Sequence, residues 1–597
     1  MLVDYTRDRF LTDFSKATLK DRYLLPDEKY QDLFARVAKT YSDDESHAQR
    51  IYDYISNLWF MPATPILSNG GTSRGLPISC FLSESEDDMK GIADTWWENI
   101  WLAQKGGGIG TYWGNVRSLG EKIGSVGSSS GVIPFMKVQD SLTLAISQGS
   151  LRRGSAALYL PIWHPEIEDF IDMRRPTGGD PNRKALNLHH GVSIDDAFMV
   201  AVKEDTNYDL KSPKTGKAIH TVKARDLWAK LLTTRIETGE PYLLFVDTVN
   251  KAIPEHHKQL GLKVKTSNLC SEITLPTGLD HLGNNRTAVC CLSSLNLEKY
   301  DEWKYNESFI IDVMLFLDNV LQDFIDNAEE THAKAKYAAM RERSVGLGVM
   351  GLHYLYQSKG YAFGSKEAYE LNLNIFKHIK AEVKYANETI ACLRGPCPDA
   401  AEAGYNLRFS NCTAIAPTAS ISVIAGGSSP GVEPSMANVY VQKTLSGNFE
   451  VHNPHLKKIL EKLGKDTEEV WSSIAVHEGS VQHLDFLDDD TKEIFKTFEE
   501  LEQMDIIQQA AQRMPYIDQS QSVNILLRPD VSKRYLNLIH MKAWELGLKS
   551  LYYCRSVSLQ RADKPSKMVK REKIEECKDG VCSIPEPVKY EECVACQ

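Results

Sequence analysis

The chain has no run of apolar residues long enough to cross a bilayer. Its most apolar helical stretch, Ser308 to Phe324, is broken by Asp312 and Asp318. The amino terminus lacks an apolar signal core and carries Asp4, Arg7, Asp8 and Arg9, so no secretory signal is expected. Positive charge is in deficit. The 69 Lys and Arg residues face 80 Asp and Glu, for a net charge of −11 and a pI near 5.9. That balance argues against broad binding to nucleic acid or anionic membranes. No internal repeat is present.

What remains is an ordinary globular composition, 42% hydrophobic and 25% charged, over 597 residues, enough for a large core. The 12 cysteines occur without an export signal. In a reducing cytoplasm they are expected to be redox-active, metal-binding or buried rather than structural disulfides. They are unevenly spread: Cys80, Cys270, Cys290 and Cys291 sit in motif-like surroundings, and Cys577, Cys582, Cys593 and Cys596 crowd the end.

Three regions follow from the pattern. Residues 1–60 read as helical, with helical spacing of apolar positions over Tyr30 to Ala38 and Ala48 to Leu58. Residues 61–560 alternate strand-like pieces (Ala157 to Pro161), Gly- and Ser-rich loops and helix-like pieces (Lys366 to Leu393). This pattern predicts an α/β domain with parallel strands. Residues 561–597 are first basic, then acidic with Pro, without amphipathic period, and are expected to form a mobile tail. Gly106 to Gly110 has neither the strand–helix setting nor the acidic partner of a dinucleotide loop.

The densest chemistry lies in Ser267-Asn268-Leu269-Cys270-Ser271-Glu272. An amide, a thiol and a carboxylate stand at alternate positions. In an extended segment all three point to one side and face one substrate. The plain alternative is a strand that happens to carry a cysteine. Three further motifs weigh against it: Met61-Pro62-Ala63-Thr64-Pro65-Ile66-Leu67, Pro77-Ile78-Ser79-Cys80, and Ala288 to Leu297 with Cys290-Cys291-Leu292-Ser293 inside. In that order, from about Leu19 to Gln597, the chain resembles the large, catalytic subunit of a class I ribonucleotide reductase.

The resemblance implies a ten-stranded α/β barrel of two five-stranded parallel halves, with a central finger loop carrying Cys270. It implies reduction of ribonucleoside diphosphates to deoxynucleotides. Cys270 would become a thiyl radical that takes the ribose 3′ hydrogen, Glu272 would accept the 3′-hydroxyl proton, and Asn268 would hold the sugar hydroxyls. Cys80 and Cys290 would be the reducing pair, which requires Cα atoms within about 7 Å; Cys291 would be a buried bystander. Thr64, Ser79, Gly108, Asn268 and Asn411 would line the nucleotide pocket. Pro417, Thr418, Ala419 and Ser420, in a turn that opens a helix, would cradle the diphosphate. Tyr553 and Tyr552 would relay a radical from a metal-containing small subunit, no cofactor being tightly bound to this chain itself.

The resemblance also implies regulation and re-reduction. Asp87 and Arg117 would bind dNTP or ATP effectors, and the loop Ser147 to Gly154, with Arg152, would pass the signal to the substrate base across a homodimer. Cys593 and Cys596, a Cys-x-x-Cys, would recharge the reducing pair and be restored by thioredoxin or glutaredoxin. A zinc site that adds Cys577 and Cys582 is the competing reading of the tail. Many relatives carry an N-terminal ATP-binding regulatory domain for which there is no room before Leu19, so dATP is not expected to shut the enzyme off through such a site. The implied location is cytoplasmic, in host cytoplasm if the source is viral. Two alternatives stay open: a cobalamin-dependent class II reductase, against which Tyr552-Tyr553 argues, and a non-catalytic nucleotide-binding regulator.

Overall fold

The computed structural model describes residues 1–556 apart from 126, 149–151, 154, 445, 446 and 529. The predicted tail, with Cys577, Cys582, Cys593 and Cys596, lies outside the described residues. So does the middle of the predicted effector loop; what is described of it is a short antiparallel pairing of Ser147–Gln148 with Arg152–Arg153.

The chain opens with helices α1 (Asp13–Arg22), α2 (Tyr30–Thr40) and α3 (Glu45–Ser56). Short polar side chains start two of them. Thr12 Oγ1 accepts from the Ser15 N–H at 3.0 Å, and Asp44 accepts from the His47 N–H at 2.8 Å. Leu33, Phe34 and Val37 of α2 and Ile51 and Ile55 of α3 turn inward and are buried together. Helices α4 (Met89–Gln104) and α5 (Ile133–Ala145) follow later and pack on each other.

The apolar stretch that the sequence placed at Ser308 to Phe324 is a buried helix, α6 (Phe309–Asn327). Its two acidic interruptions are buried too, and each is matched by arginine. Arg50 Nε and Nη2 grip Asp312 at 2.7 and 2.8 Å. Arg343, Arg394 and Arg408 converge on Asp318 at 2.6, 2.6 and 3.0 Å. A buried carboxylate is tolerated when charge and hydrogen bonds satisfy it.

The body is a nine-stranded sheet. In chain order its strands are β1 (Phe60–Pro62), β2 (Cys80–Glu84), β3 (Gly108–Tyr112), β4 (Ser155–Pro161), β5 (His189–Ile194), β6 (Tyr242–Phe245), β7 (Ala288–Asn296), β8 (Val345–Met350) and β9 (Ser550–Leu551). Strands β2 to β6 pair in order and run parallel. β3 to β6 are buried throughout, as enclosed parallel strands are, and β4 and β6 read as near-continuous apolar runs.

The other half repeats the parallel pattern more loosely. β7 pairs with β8 in parallel, and then single parallel bridges, Leu347 to Thr413 and Ile415 to Gln521, carry the ring onward. The Tyr552 N–H donates to Val523 O at 2.9 Å and links this half to β9. Antiparallel seams join the halves, β7 on β2 and β9 on β6. The ring is thereby closed by eight of these strands and two bridged segments, at 413–415 and 521–523, which stand where the expected ten-stranded barrel has its remaining strands.

Candidate active site

Between β6 and β7 the chain enters the barrel as a finger, residues 263–277 without helix or strand. It lies directly on β3. A Cβ at Gly110 would stand 1.8 Å from Ser267 O and 2.9 Å from Asn268 Cα, so only glycine lets the finger settle there. The tip is a turn. The Ser271 N–H donates to Asn268 O at 3.3 Å, and Ser271 takes a left-handed φ of 64°. The expected extended row is therefore incorrect. An extended strand through the interior would leave its backbone groups unpaired; the turn instead offers four of its carbonyls to barrel donors. Tyr159 Oη donates to Asn268 O at 2.9 Å, Ser522 Oγ to Cys270 O at 2.5 Å, Ser550 Oγ to Ser271 O at 2.7 Å, and the Ser520 N–H to Glu272 O at 2.9 Å.

The turn still presents the three predicted side chains to one place. Asn268, Cys270 and Glu272 line one cleft, part of it open to solvent. Burial pushes the Glu272 carboxyl up to about 7, although its own N–H, Asn268 and Ser522 Oγ, at 3.2 Å, favour the carboxylate. A buried carboxyl poised there can take and return a proton near neutrality. The Asn268 amide is held through its oxygen by the Ile273 N–H at 3.1 Å, and its nitrogen reaches Cys80 Sγ at 3.9 Å.

Cys80 and Cys290 are cross-strand partners on β2 and β7. Direct antiparallel partners have Cα atoms about 4.5–5.5 Å apart, inside the span of a disulfide. Both are thiols here. A Cβ at Gly346 of β8 would come within 2.9 Å of Cys290 Sγ, so glycine leaves the sulfur its room. Burial pushes the Cys290 thiol well above the usual thiol range, and the Gln519 amide opposes that shift. The strand period sends the neighbouring Cys291 into the large outer core, while Cys290 packs with Leu82, Ile273 and Ala414 inside the ring.

Tyr552 shares one apolar cluster with Cys270, Leu269 and Tyr159. The Tyr552 and Tyr553 ring centroids are 4.3 Å apart. Tyr242 of β6, which the sequence reading did not single out, packs on both, at 4.8 and 5.1 Å. Behind Tyr553 Oη stands His189 Nδ1 at 3.3 Å, itself 2.5 Å from Glu240 Oε1. Burial would raise the Glu240 carboxyl, but Arg174, His189 and His190 hold it well below the usual carboxylate range.

Of the predicted nucleotide-binding residues, Thr64, Ser79, Gly108, Asn268, Pro417 and Thr418 line the cleft. Ala419 is exposed beside it, and Ser420 is buried at the start of the one-turn helix α7 (Ile421–Ile424). Asn411 is elsewhere, buried with its amide on Ser344 Oγ at 3.2 Å. Asp87 and Arg117 are brought together, as an ion pair at 2.7 Å. Residues missed by the sequence reading include Ser293 and Ser294 on the cleft wall, and Gln519 and Ser522. A signal for the last two was present: Asp518-Gln519-Ser520-Gln521-Ser522 is wholly polar and yet leads into the apolar run Ile525-Leu526-Leu527. Among the described residues, no cluster of three or more His, Cys, Asp or Glu could hold a metal ion, and no helix is long and apolar enough to cross a membrane.

Comparison with known proteins agrees with this arrangement. The family described as "Ribonucleotide reductase, barrel domain" matches residues 78–406 and 400–554, and "Ribonucleotide reductase, all-alpha domain" matches 9–75. A ribonucleoside-diphosphate reductase large subunit of Invertebrate iridescent virus 3 is 42% identical over 94% of this chain and 96% of its own length. The corresponding protein of Caenorhabditis elegans is 33% identical over 92% of this chain and 77% of its own. The solved Actinobacillus ureae class Id ribonucleotide reductase alpha subunit superposes with a TM-score of 0.82 at 36% identity, over 94% of this chain and 99% of that one. A finger in a closed barrel, a cysteine at its tip and a cross-strand dithiol beside it thus stand in a chain that belongs to the ribonucleotide reductase large-subunit family.

Proposed function

We propose that this chain reduces ribonucleoside diphosphates to 2′-deoxyribonucleoside diphosphates by thiyl-radical chemistry. The observation that carries the reading is the finger turn, which sets Cys270, Glu272 and Asn268 on one cleft with Cys80. A C2′–O bond in an unactivated sugar breaks very slowly; a radical on the adjacent carbon makes it labile. Cys270 supplies that radical centre by taking the 3′ hydrogen and later returns it. Glu272 accepts the 3′-hydroxyl proton, and Asn268 fixes the sugar hydroxyls. Cys80 and Cys290 give up two hydrogens in total, one as the proton that leaves with the 2′-oxygen as water. They end as a disulfide, so that a C–O bond is exchanged for a C–H bond and two thiols are oxidised.

A metal-containing small subunit would supply the initiating oxidation. In this chain Tyr553 and Tyr552 would form the path from the surface to Cys270, a reading supported by their ring centroids 4.3 Å apart and their shared cluster with the finger. Pro417 and Thr418, at the cleft beside the start of α7, would meet the diphosphate. The Asp87–Arg117 pair would open for dNTP or ATP effectors. An exposed apolar face on α4 and α5, with Trp97 56% and Leu144 67% exposed, supports a homodimer. Re-reduction through Cys593 and Cys596 by thioredoxin or glutaredoxin, and a cytoplasmic location in an infected host cell, complete the reading.

The test is turnover of a ribonucleoside diphosphate with and without a small subunit. Turnover is expected only with both subunits and is abolished by Cys270→Ser, while nucleotide binding persists. Product formation by Cys270→Ser, or by this chain with adenosylcobalamin alone, overturns the proposal.

A further inference from the structure

Oxidation of the reducing pair creates a charge that the barrel must hold. One proton leaves with the 2′-oxygen, and one hydrogen atom passes to C2′. The two joined sulfurs then share one negative charge until the remaining electron moves to the sugar. Around them lie Leu82, Ile273, Leu275 and Ala414, an apolar lining that raises the cost of any unsolvated charge. A fixed N–H donor aimed at a sulfur is worth far more there than in water.

Such a donor is present. Gln519 Nε2 lies 3.4 Å from Cys290 Sγ. Its orientation follows from its other partners. The Thr274 N–H points at Gln519 Oε1 from 3.2 Å, so that atom must be the oxygen. The nitrogen meets Val345 O at 3.1 Å and has one hydrogen left, which faces the sulfur. Gln519 is fully buried, and its main chain is fastened as well. Its N–H donates to Thr413 O at 3.0 Å, and Lys549 Nζ, itself buried, binds the carbonyls of residues 517, 518 and 519 at 3.1, 2.6 and 2.6 Å. The donor thus needs no reorganisation when charge appears. On the other sulfur, Cys80, the Asn268 amide stands at 3.9 Å.

We propose that Gln519 is a catalytic residue of the reduction half-reaction, whose side-chain N–H stabilises negative charge on Cys290 Sγ while the Cys80–Cys290 disulfide forms. This rests on the reading of Cys80 and Cys290 as the reducing pair.

The test uses the prereduced full chain with its small subunit and with Cys593 and Cys596 replaced by Ser, so that each site turns over once. In the parent protein one Cys80–Cys290 disulfide per product, located by peptide mapping, tests the underlying reading; its absence defeats that reading, whatever Gln519 does. Gln519→Met and Gln519→Glu are then compared for the rate of disulfide formation and for the pH at which Cys290 is alkylated. Met removes the donor and is expected to slow disulfide formation by about tenfold to a hundredfold, the scale of one lost hydrogen bond to a charged group. It is also expected to move Cys290 alkylation to higher pH. Glu keeps the shape but opposes the charge, and is expected to be slower still. A merely structural role gives the reverse order, because Glu is the better isostere. If Met lowers the melting temperature too far to assay, Glu carries the comparison. Glu as fast as the parent, Glu faster than Met, or an unmoved alkylation pH overturns the proposal.

Discussion

Glu272 and Glu240 are two buried carboxyls, the first beside Cys270 and the second behind Tyr553, and their acidities move in opposite directions. Burial raises both. At Glu272 the neighbours are an amide and one hydroxyl, too little to recover the lost hydration, and the group rests near 7. At Glu240 the neighbours are Arg174 at 3.4 Å and two histidines, and the carboxylate stays ionised far below that. Depth sets the cost of a charge; the partners decide whether it is kept. The site thus has one carboxyl able to exchange a proton at neutral pH and one that stays ionised across the working range.

The largest effect that can break this contrast is loss of Glu272, the proposed proton acceptor. Glu272→Gln is expected to lower kcat by about 100-fold or more, the range of general-base contributions. The sign in pH is fixed by the role: Glu272 must be ionised to accept, so wild-type turnover rises as pH climbs through about 7, and this limb disappears in the variant. A pH profile of Glu272→Gln that keeps the limb assigns it to another group.

Next comes the finger itself. Gly110→Ala puts a methyl where Ser267 O already stands, at 1.8 Å, and is expected to displace the tip. Turnover falls by more than tenfold, while the unfolding free energy drops by only about 1–3 kcal/mol, the usual cost of overpacking. Equal activity and unchanged melting would mean that the finger does not rest on β3.

Glu240→Gln sharpens the other side of the comparison. It removes the buried carboxylate that Arg174, His189 and His190 share, and is expected to cost about 3 kcal/mol in chemical denaturation. Because its folded-state pKa is depressed, Glu240 stabilises the fold above about pH 4.5, and that stabilisation is lost as pH falls through the depressed value. The variant therefore shows a flatter acid limb of stability, with the activity limb near 7 still in place. The smallest effect is that of Ser522→Ala, which removes a hydrogen bond that favours the Glu272 carboxylate, so the activity limb moves to higher pH by a fraction of a unit. A shift to lower pH contradicts the assignment.

Much of this was legible in residue types and order. The helical opening, the alternation of strands and helices and the cysteines of the cleft could all be read directly. The finger could not. Alternation at Asn268, Cys270 and Glu272 suggested a strand because side-chain spacing is local, whereas the turn is dictated by donors that arrive from residues 159, 520, 522 and 550. Asp312 and Asp318 looked like breaks in an apolar helix for the same reason: the arginines that satisfy them come from distant segments. Gln519 was passed over since an amide in a polar run carries no motif; its meaning lies in which sulfur it faces. Tyr242 was hidden likewise, an ordinary aromatic in an apolar strand until the barrel packs it against Tyr552.

The clasp on the finger tip also has a consequence in time. Three of the four groups that hold its carbonyls, at Ser520, Ser522 and Ser550, are made long after Cys270 leaves the ribosome. A nascent or truncated chain that ends before Ser550 has the reactive thiol but an incomplete clasp around it. The contacts that set the Cys270 turn are therefore complete only once the last strand of the barrel has been made.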